Sequence, residues 1–81
     1  MVVNPKLVLH LLKNTNIEGI PTDYLSDLVI FLEQEVIPAL SYRISADLQY
    51  PVNEVNIEEF SVNYAALRDL YSIYYKVKGL V

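Results

Sequence analysis

TDYLSDLVIFLEQEVIPALSYRISADLQ, the stretch from Thr22 to Gln49, decides how the rest of the chain must be arranged. Leu25, Leu28, Val29, Leu32, Val36, Ala39 and Leu40 recur at three- and four-residue steps, the spacing that gathers side chains on one helical face. Ile30, Phe31, Ile37 and Ile44 lie off that stripe, so the helix is apolar around much of its circumference. A chain of 81 residues has little else with which to cover such a surface. Pro38 interrupts the pattern: it lacks an N–H, and its ring crowds the carbonyl one turn back. The span is either one helix kinked at Pro38 or two helices, about 22–36 and 38–49. The absence of Gly, Asn or Asp beside Pro38 favours the single kinked helix.

Shorter helices are expected on either side. Asn4-Pro5 supplies an N-cap and a first-turn proline, and Leu7, Val8, Leu11 and Leu12 follow as a stripe, giving a helix over 5–13 with Asn14 as a left-handed cap. Residues 14–21 read as a loop in which Ile17 and Ile20 make a short extended piece. Thr22 or Asp23 then caps the long helix. A second loop runs from Tyr50 to Val55, with Val52 and Val55 as another extended piece. Asn-Ile-Glu-Glu at 56–59 is a capping-box pattern. It opens a last helix from Ile57 to about Lys78, with Gly79 as its stop and a possible break near Leu70. Ile57, Phe60, Tyr64, Leu67, Tyr71 and Tyr74 keep a 3-4 alternation along it, widened by Leu70, Ile73 and Val77. The expected class is all-α, in one domain.

Composition narrows the function. Six Lys/Arg stand against ten Asp/Glu, for a formal net charge of -4, and the cations are scattered. Nucleic-acid binders need them clustered, to displace counterions from phosphates. The hydrophobic fraction of 53% exceeds the usual 45–50% or so, which suggests a surface meant for another chain. There is no cysteine and one histidine, His10, so a transition-metal site is not expected. No cofactor is implied. Catalysis by His10 would need a nucleophile or acid beside it, and a surface position is the expectation. Glu33 and Glu35 are two apart on a helix and point in different directions, so Glu33, Gln34 and Glu35 read as a solvated face. Glu58 and Glu59 read as favourable charge at a helix start. No run is long and apolar enough to span a membrane, and no signal-peptide pattern is present, so an intracellular protein is expected. Seven tyrosines are the most unusual feature, and Tyr64, Tyr71, Tyr74 and Tyr75 on the last helix are candidates to face a protein partner.

Short helix, loop, long helix, loop, helix is an order that resembles the histone fold. The chain aligns with archaeal histone sequences without gaps from about Pro5 to Phe60. His10-Leu-Leu-Lys-Asn14 matches the end of that family's first helix, Leu28, Leu32 and Glu33 the middle of its central helix, and Val55-Asn-Ile-Glu-Glu-Phe60 the start of its third. The resemblance implies a histone-fold domain over about 5–66 with a helical extension over about 67–78. It also implies a handshake dimer whose central helices cross antiparallel through Leu28, Phe31, Leu32, Val36, Leu40 and Ile44. The partner would be a second copy or another histone-fold protein, and a larger transcription- or chromatin-associated assembly is a further candidate.

The DNA-contact positions depart from that pattern. Gly19 stands where packaging members carry a minor-groove arginine, and Val52, Asn53 and Glu54 replace the Arg-Lys-Thr of the second loop. The arginine that usually clamps the acid matched by Glu59 is therefore missing, leaving Glu59 as a cap. DNA binding is expected to be weak or indirect, and the expected role is an interaction module, nuclear in a eukaryote and cytoplasmic in an archaeon or virus. The alternatives are a divergent archaeal or viral DNA-binding histone and an unrelated acidic helical-bundle inhibitor.

Overall fold

The computed structural model describes residues 3–81. Its elements are α1 (Pro5–Lys13), α2 (Thr22–Phe31), a π-helical turn (Leu32–Val36), α3 (Ile37–Asp47) and α4 (Ile57–Leu80). Single 3-10 turns occupy Ile17–Gly19 and Val52–Glu54. The all-α class is what the structure shows, with no strand among the described residues.

Pro38 neither breaks nor ends the central helix. The backbone stays right-handed helical at Phe31, Leu32, Val36 and Ile37, so α2, the π turn and α3 form one continuous rod. The Ile37 amide donates to the carbonyl of Leu32, five residues back. That wider turn lies where an ordinary α-turn would press the proline ring against the Gln34 carbonyl. The irregularity expected at Pro38 is therefore taken up one turn earlier, as a π turn.

The helix starts follow local chemistry, with two corrections. Asn4 Oδ1 accepts from the Leu7 amide at 3.2 Å, and Asn56 Oδ1 accepts from the Glu59 amide at 3.1 Å, each satisfying a first-turn donor. Neither Thr22 nor Asp23 caps α2: both lie inside it, after Pro21, whose carbonyl accepts from the Tyr24 and Leu25 amides. Asn14 does not turn left-handed. The last carbonyls of α1 are met by side chains and by i→i+3 amides, Asn14 Nδ2 donating to His10 at 2.8 Å, Thr15 Oγ1 to Leu11 at 2.7 Å, and the Asn14 and Thr15 amides to Leu11 and Leu12. The loop segments expected to be extended are mostly 3-10 turns, because i→i+3 bonds such as Ile20 to Ile17 and Val55 to Val52 satisfy their amides locally. Of Ile17, Ile20, Val52 and Val55, the two that follow those turns, Ile20 and Val55, are extended.

α4 shows no break at Leu70 and no stop at Gly79, which keeps ordinary helical geometry. Glycine permits a left-handed exit but does not impose one. Ala66, Leu70, Tyr74 and Val77 are buried along one face of this single helix.

Three interactions fix how the elements pack. Arg43 pairs with Glu59, the Tyr74 hydroxyl donates to Glu33, and Val77 packs with Leu25. As numbers rise along α4 they fall along the central rod, so the two form an antiparallel hairpin. α1 lies against one side of it, with Leu9 in the core and Lys13 Nζ 2.9 Å from Asp69 Oδ2. The result is a three-helix bundle with a core of Leu32, Val36, Leu40, Ile44, Ala66 and Leu70, closed at one end by Ile17, Leu25 and Val77. The bundle is long, 46 × 22 × 20 Å, with a radius of gyration of 14.0 Å where a compact chain of this length would have about 12 Å.

Candidate protein-interaction surface

The two ends of the hairpin are finished differently. At the end carrying the first loop, α1 and the Ile17 turn cover the junction of α2 and α4, and Glu18 lies 3.7 Å from Lys76. At the other end, where residues 48–56 connect α3 to α4, large apolar side chains stand in the open. Leu48 is 70% exposed and Val52 77%, and Tyr50, Ile57, Val62 and Tyr64 are also exposed. Leu48, Tyr50, Val52, Val55, Ile57 and Phe60 line an open groove at this tip.

A second concavity lies on the side where α1 begins. Its walls are Val3, Asn4, Pro5 and Lys6 at the start of α1, and Ala39, Tyr42, Arg43 and Ala46 on α3. Asn63 of α4 also lines it. That side chain is 0% exposed, and both its carboxamide oxygen and its nitrogen lack a hydrogen-bond partner. Buried polar groups are nearly always paired, and an orphan costs about 1–3 kcal/mol. Asn63 sits in the middle of the α4 seam, between the start of the helix and Ala66, at a position where an apolar residue would bury without cost.

Along the flank of the hairpin, α4 carries an aromatic ridge. Phe60 stacks near Tyr64 and Tyr71 near Tyr75, with ring centroids 6.5 and 6.3 Å apart, the i, i+4 geometry of one helix face. Tyr64, Tyr71 and Tyr75, the candidates to face a partner, are exposed. Tyr74 is not among them. It is buried, and its hydroxyl donates to Glu33 Oε2 at 2.7 Å, while Lys78 Nζ lies 3.4 Å from that hydroxyl and 5.5 Å from the ring centre. The Glu33 hydrogen bond, with burial, holds the Tyr74 phenol above its ordinary pKa. Glu33, Gln34 and Glu35 are all exposed, and Glu33 is in addition a tertiary acceptor. Ile37, Pro38 and Ser41 face this aromatic group across a groove, just beyond the π turn.

The residues assigned to a dimer seam have other neighbours. Leu32, Val36, Leu40 and Ile44 are buried within the single chain, and Leu28 and Phe31 are half-buried against the same core. α1 and α4 cover the stripe that read as needing a partner. Of the second-loop residues, Val52, Asn53 and Glu54 form the exposed 3-10 turn at the tip, while Gly19 ends the other turn. Glu59 is not left as a cap alone: its amide donates to Asn56 Oδ1 and its carboxylate pairs with Arg43 of α3. His10 is exposed in the last turn of α1.

Asn63 and the bare tip are what sequence reading missed. An asparagine inside a seam of 3-4 spacing was the available signal. Among the described residues no three His, Cys, Asp or Glu side chains converge to hold a metal ion, and no helix is long and apolar enough to cross a membrane. No protein-family model, curated protein or solved structure matches the chain.

Proposed function

We propose that this chain is a helical protein-interaction module whose docking surface is the bare end of its hairpin. The observation that carries this reading is the apolar groove at that end, lined by Leu48, Tyr50, Val52, Val55, Ile57 and Phe60. The core is closed by the chain's own helices, yet Leu48, Tyr50, Val52, Ile57, Val62 and Tyr64 stay exposed together at one end. Scattered exposed apolar residues are ordinary, whereas several gathered around one open groove mark a contact surface.

Charge favours a protein over a nucleic acid. Of the six cations, Lys13, Arg43, Arg68 and Lys76 each lie within ion-pair distance of a carboxylate, and Lys78 lies against Tyr74. A phosphate backbone would have to displace these partners and would meet Glu54 at the tip.

A finer reading, of a handshake subunit of histone-fold type in a transcription- or chromatin-associated assembly, draws support from the order of elements. A nine-residue first helix, a long central rod and loops at its opposite ends follow that plan. The burial of Leu32, Val36, Leu40 and Ile44 under α1 and α4 weighs against a seam made only by a partner.

Photo-cross-linking in the native host tests the module reading. A photoreactive residue at Val52 or Tyr64 should give a discrete adduct, while one at the exposed Glu35, off this end, should not. Absence of adducts at both tip positions would remove the interaction reading.

A further inference from the structure

Charge is spread unevenly along the chain. Residues 44–67, which build the bare end from the last turn of α3 through the first half of α4, carry Asp47, Glu54, Glu58 and Glu59 and no Lys, Arg or His. The other six acids and the six cations balance, so the whole formal net charge of -4 falls on this stretch. We propose that the apolar groove at the tip receives a basic amphipathic segment of a different protein, in which large apolar side chains are flanked by Lys or Arg. This rests on the interaction-module reading above and names the chemistry of its partner.

Groove and rim supply the two halves of that recognition. The groove is walled by Leu48, Val52, Ile57 and Phe60 among others, and Asp47 is the single charged residue that lines it. Its volume is about 190 Å³, below the roughly 300–1,000 Å³ of small-molecule sites. That space suits an apolar anchor on a segment that continues across the surface, rather than a whole small ligand. Glu54 falls between the lining residues Val52 and Val55, and Glu58 directly follows Ile57. Asp47, Glu54 and Glu58 have no cation within ion-pair distance among the described residues, whereas Glu59 is held by Arg43. A segment with Lys or Arg beside its anchors pairs with these carboxylates and is steered in by their field; one without cations desolvates them for no return.

The same charges disfavour the competing occupants. Nucleic acid and anionic membrane surfaces meet like charge at this end. A second copy brings the same acids to a tip-to-tip contact, and this chain lacks the basic segment required. Its closest pair of cations is Lys76 and Lys78 on α4, where Lys76 lies 3.7 Å from Glu18 and Lys78 lies against Tyr74. Lys13, Arg43 and Arg68 are each within ion-pair distance of a carboxylate. Lys6 is a single cation in the side cleft, outside the groove.

Selection from a phage-displayed library of random peptides, about 12 residues long, against the immobilised full chain provides the test. The recovered peptides should carry net positive charge together with Leu, Ile, Phe or Trp. Fluorescence anisotropy then measures the tightest of them as a synthetic peptide. Val52→Ser should raise its dissociation constant about tenfold or more. Glu54→Gln combined with Glu58→Gln should raise it about threefold or more. Glu35→Gln, exposed and off this end, should change it by less than about twofold. Selection against the E54K/E58K variant should recover acidic peptides instead. Neutral or acidic peptides that depend on Val52 in the wild-type chain overturn the basic-partner proposal and leave the interaction reading in place. Peptides indifferent to Val52, or none at all, overturn it too, and the cross-linking at Val52 and Tyr64 decides the interaction reading separately. A Val52 adduct with a second copy of this chain overturns the proposal as well.

Discussion

The end of the hairpin that carries the first loop and the end that carries the second are built from similar residues and finished in opposite ways. At the first, Ile17, Leu25 and Val77 close over one another, and Lys13–Asp69 and Glu18–Lys76 tie α1 and its following turn to α4. At the second, Leu48, Val52 and Ile57 are as apolar but have nothing over them, because α1 begins only at the rim of the Asn63 cleft. A nine-residue helix, about 14 Å long, cannot cover a hairpin whose arms run to about 36 Å. Tyr24, Leu80 and Val81 are exposed at the first end too, so the difference is that Ile17, Leu25 and Val77 pack into a closed cluster there, whereas Leu48, Val52 and Ile57 line an open groove.

Substitutions at the two ends break that comparison most directly. Leu25→Ala, in the closed end, should cost about 3 kcal/mol of unfolding free energy in denaturant titration. Leu48→Ser, at the bare end, should change it by less than about 0.5 kcal/mol. Equal losses would mean that the tip is packed in the free chain and would remove the contrast. Asn63→Leu exchanges an unpaired amide for an apolar side chain of the same branching, and should raise the stability of the single chain by about 1–2 kcal/mol. A loss there would show that the amide is already satisfied.

Smaller effects come from titration. The Tyr74 phenol has a raised pKa because its proton is held by Glu33, so the folded chain keeps that proton where the unfolded chain begins to lose it. The stabilisation is complete below the ordinary phenol pKa near 10 and fades as pH rises through the higher folded value. Tyr74→Phe should flatten this alkaline fall in thermal melts. Asp69 has its pKa lowered, chiefly by the hydrogen bond from Lys13, so its contribution is present above the ordinary carboxylate value and lost as pH falls below it. Asp69→Asn should therefore shrink the gap in melting temperature between pH 6 and pH 3, the smallest of these changes since the pair is open to solvent.

Much of the fold was legible because it is written in local terms. Asn4-Pro5 and the Asn56 cap announce their helices through a side chain that reaches an amide three residues on, and the chain needs no further information to place those starts. The stripe of α4 was harder. Ile57, Tyr64 and Tyr71 keep the same 3-4 spacing as Ala66, Leu70 and Val77, so periodicity alone does not say which set faces inward. The exposed set became the aromatic ridge, and Tyr74, read with it, turned out to belong to the core.

Sequence by itself determined the all-α class, the order of helices, the capped starts of α1 and α4 and the small number of cations. Each depends on residues within a few positions of one another or on simple composition. Only the tertiary structure decided that the central rod absorbs Pro38 in a π turn, that Leu32, Val36, Leu40 and Ile44 are covered by the chain itself, and that Arg43 reaches Glu59. It alone set an unpaired Asn63 beside an exposed Lys6. These depend on which helix lies beside which, and a pattern of apolar spacing, equally satisfied by several faces, does not contain that choice.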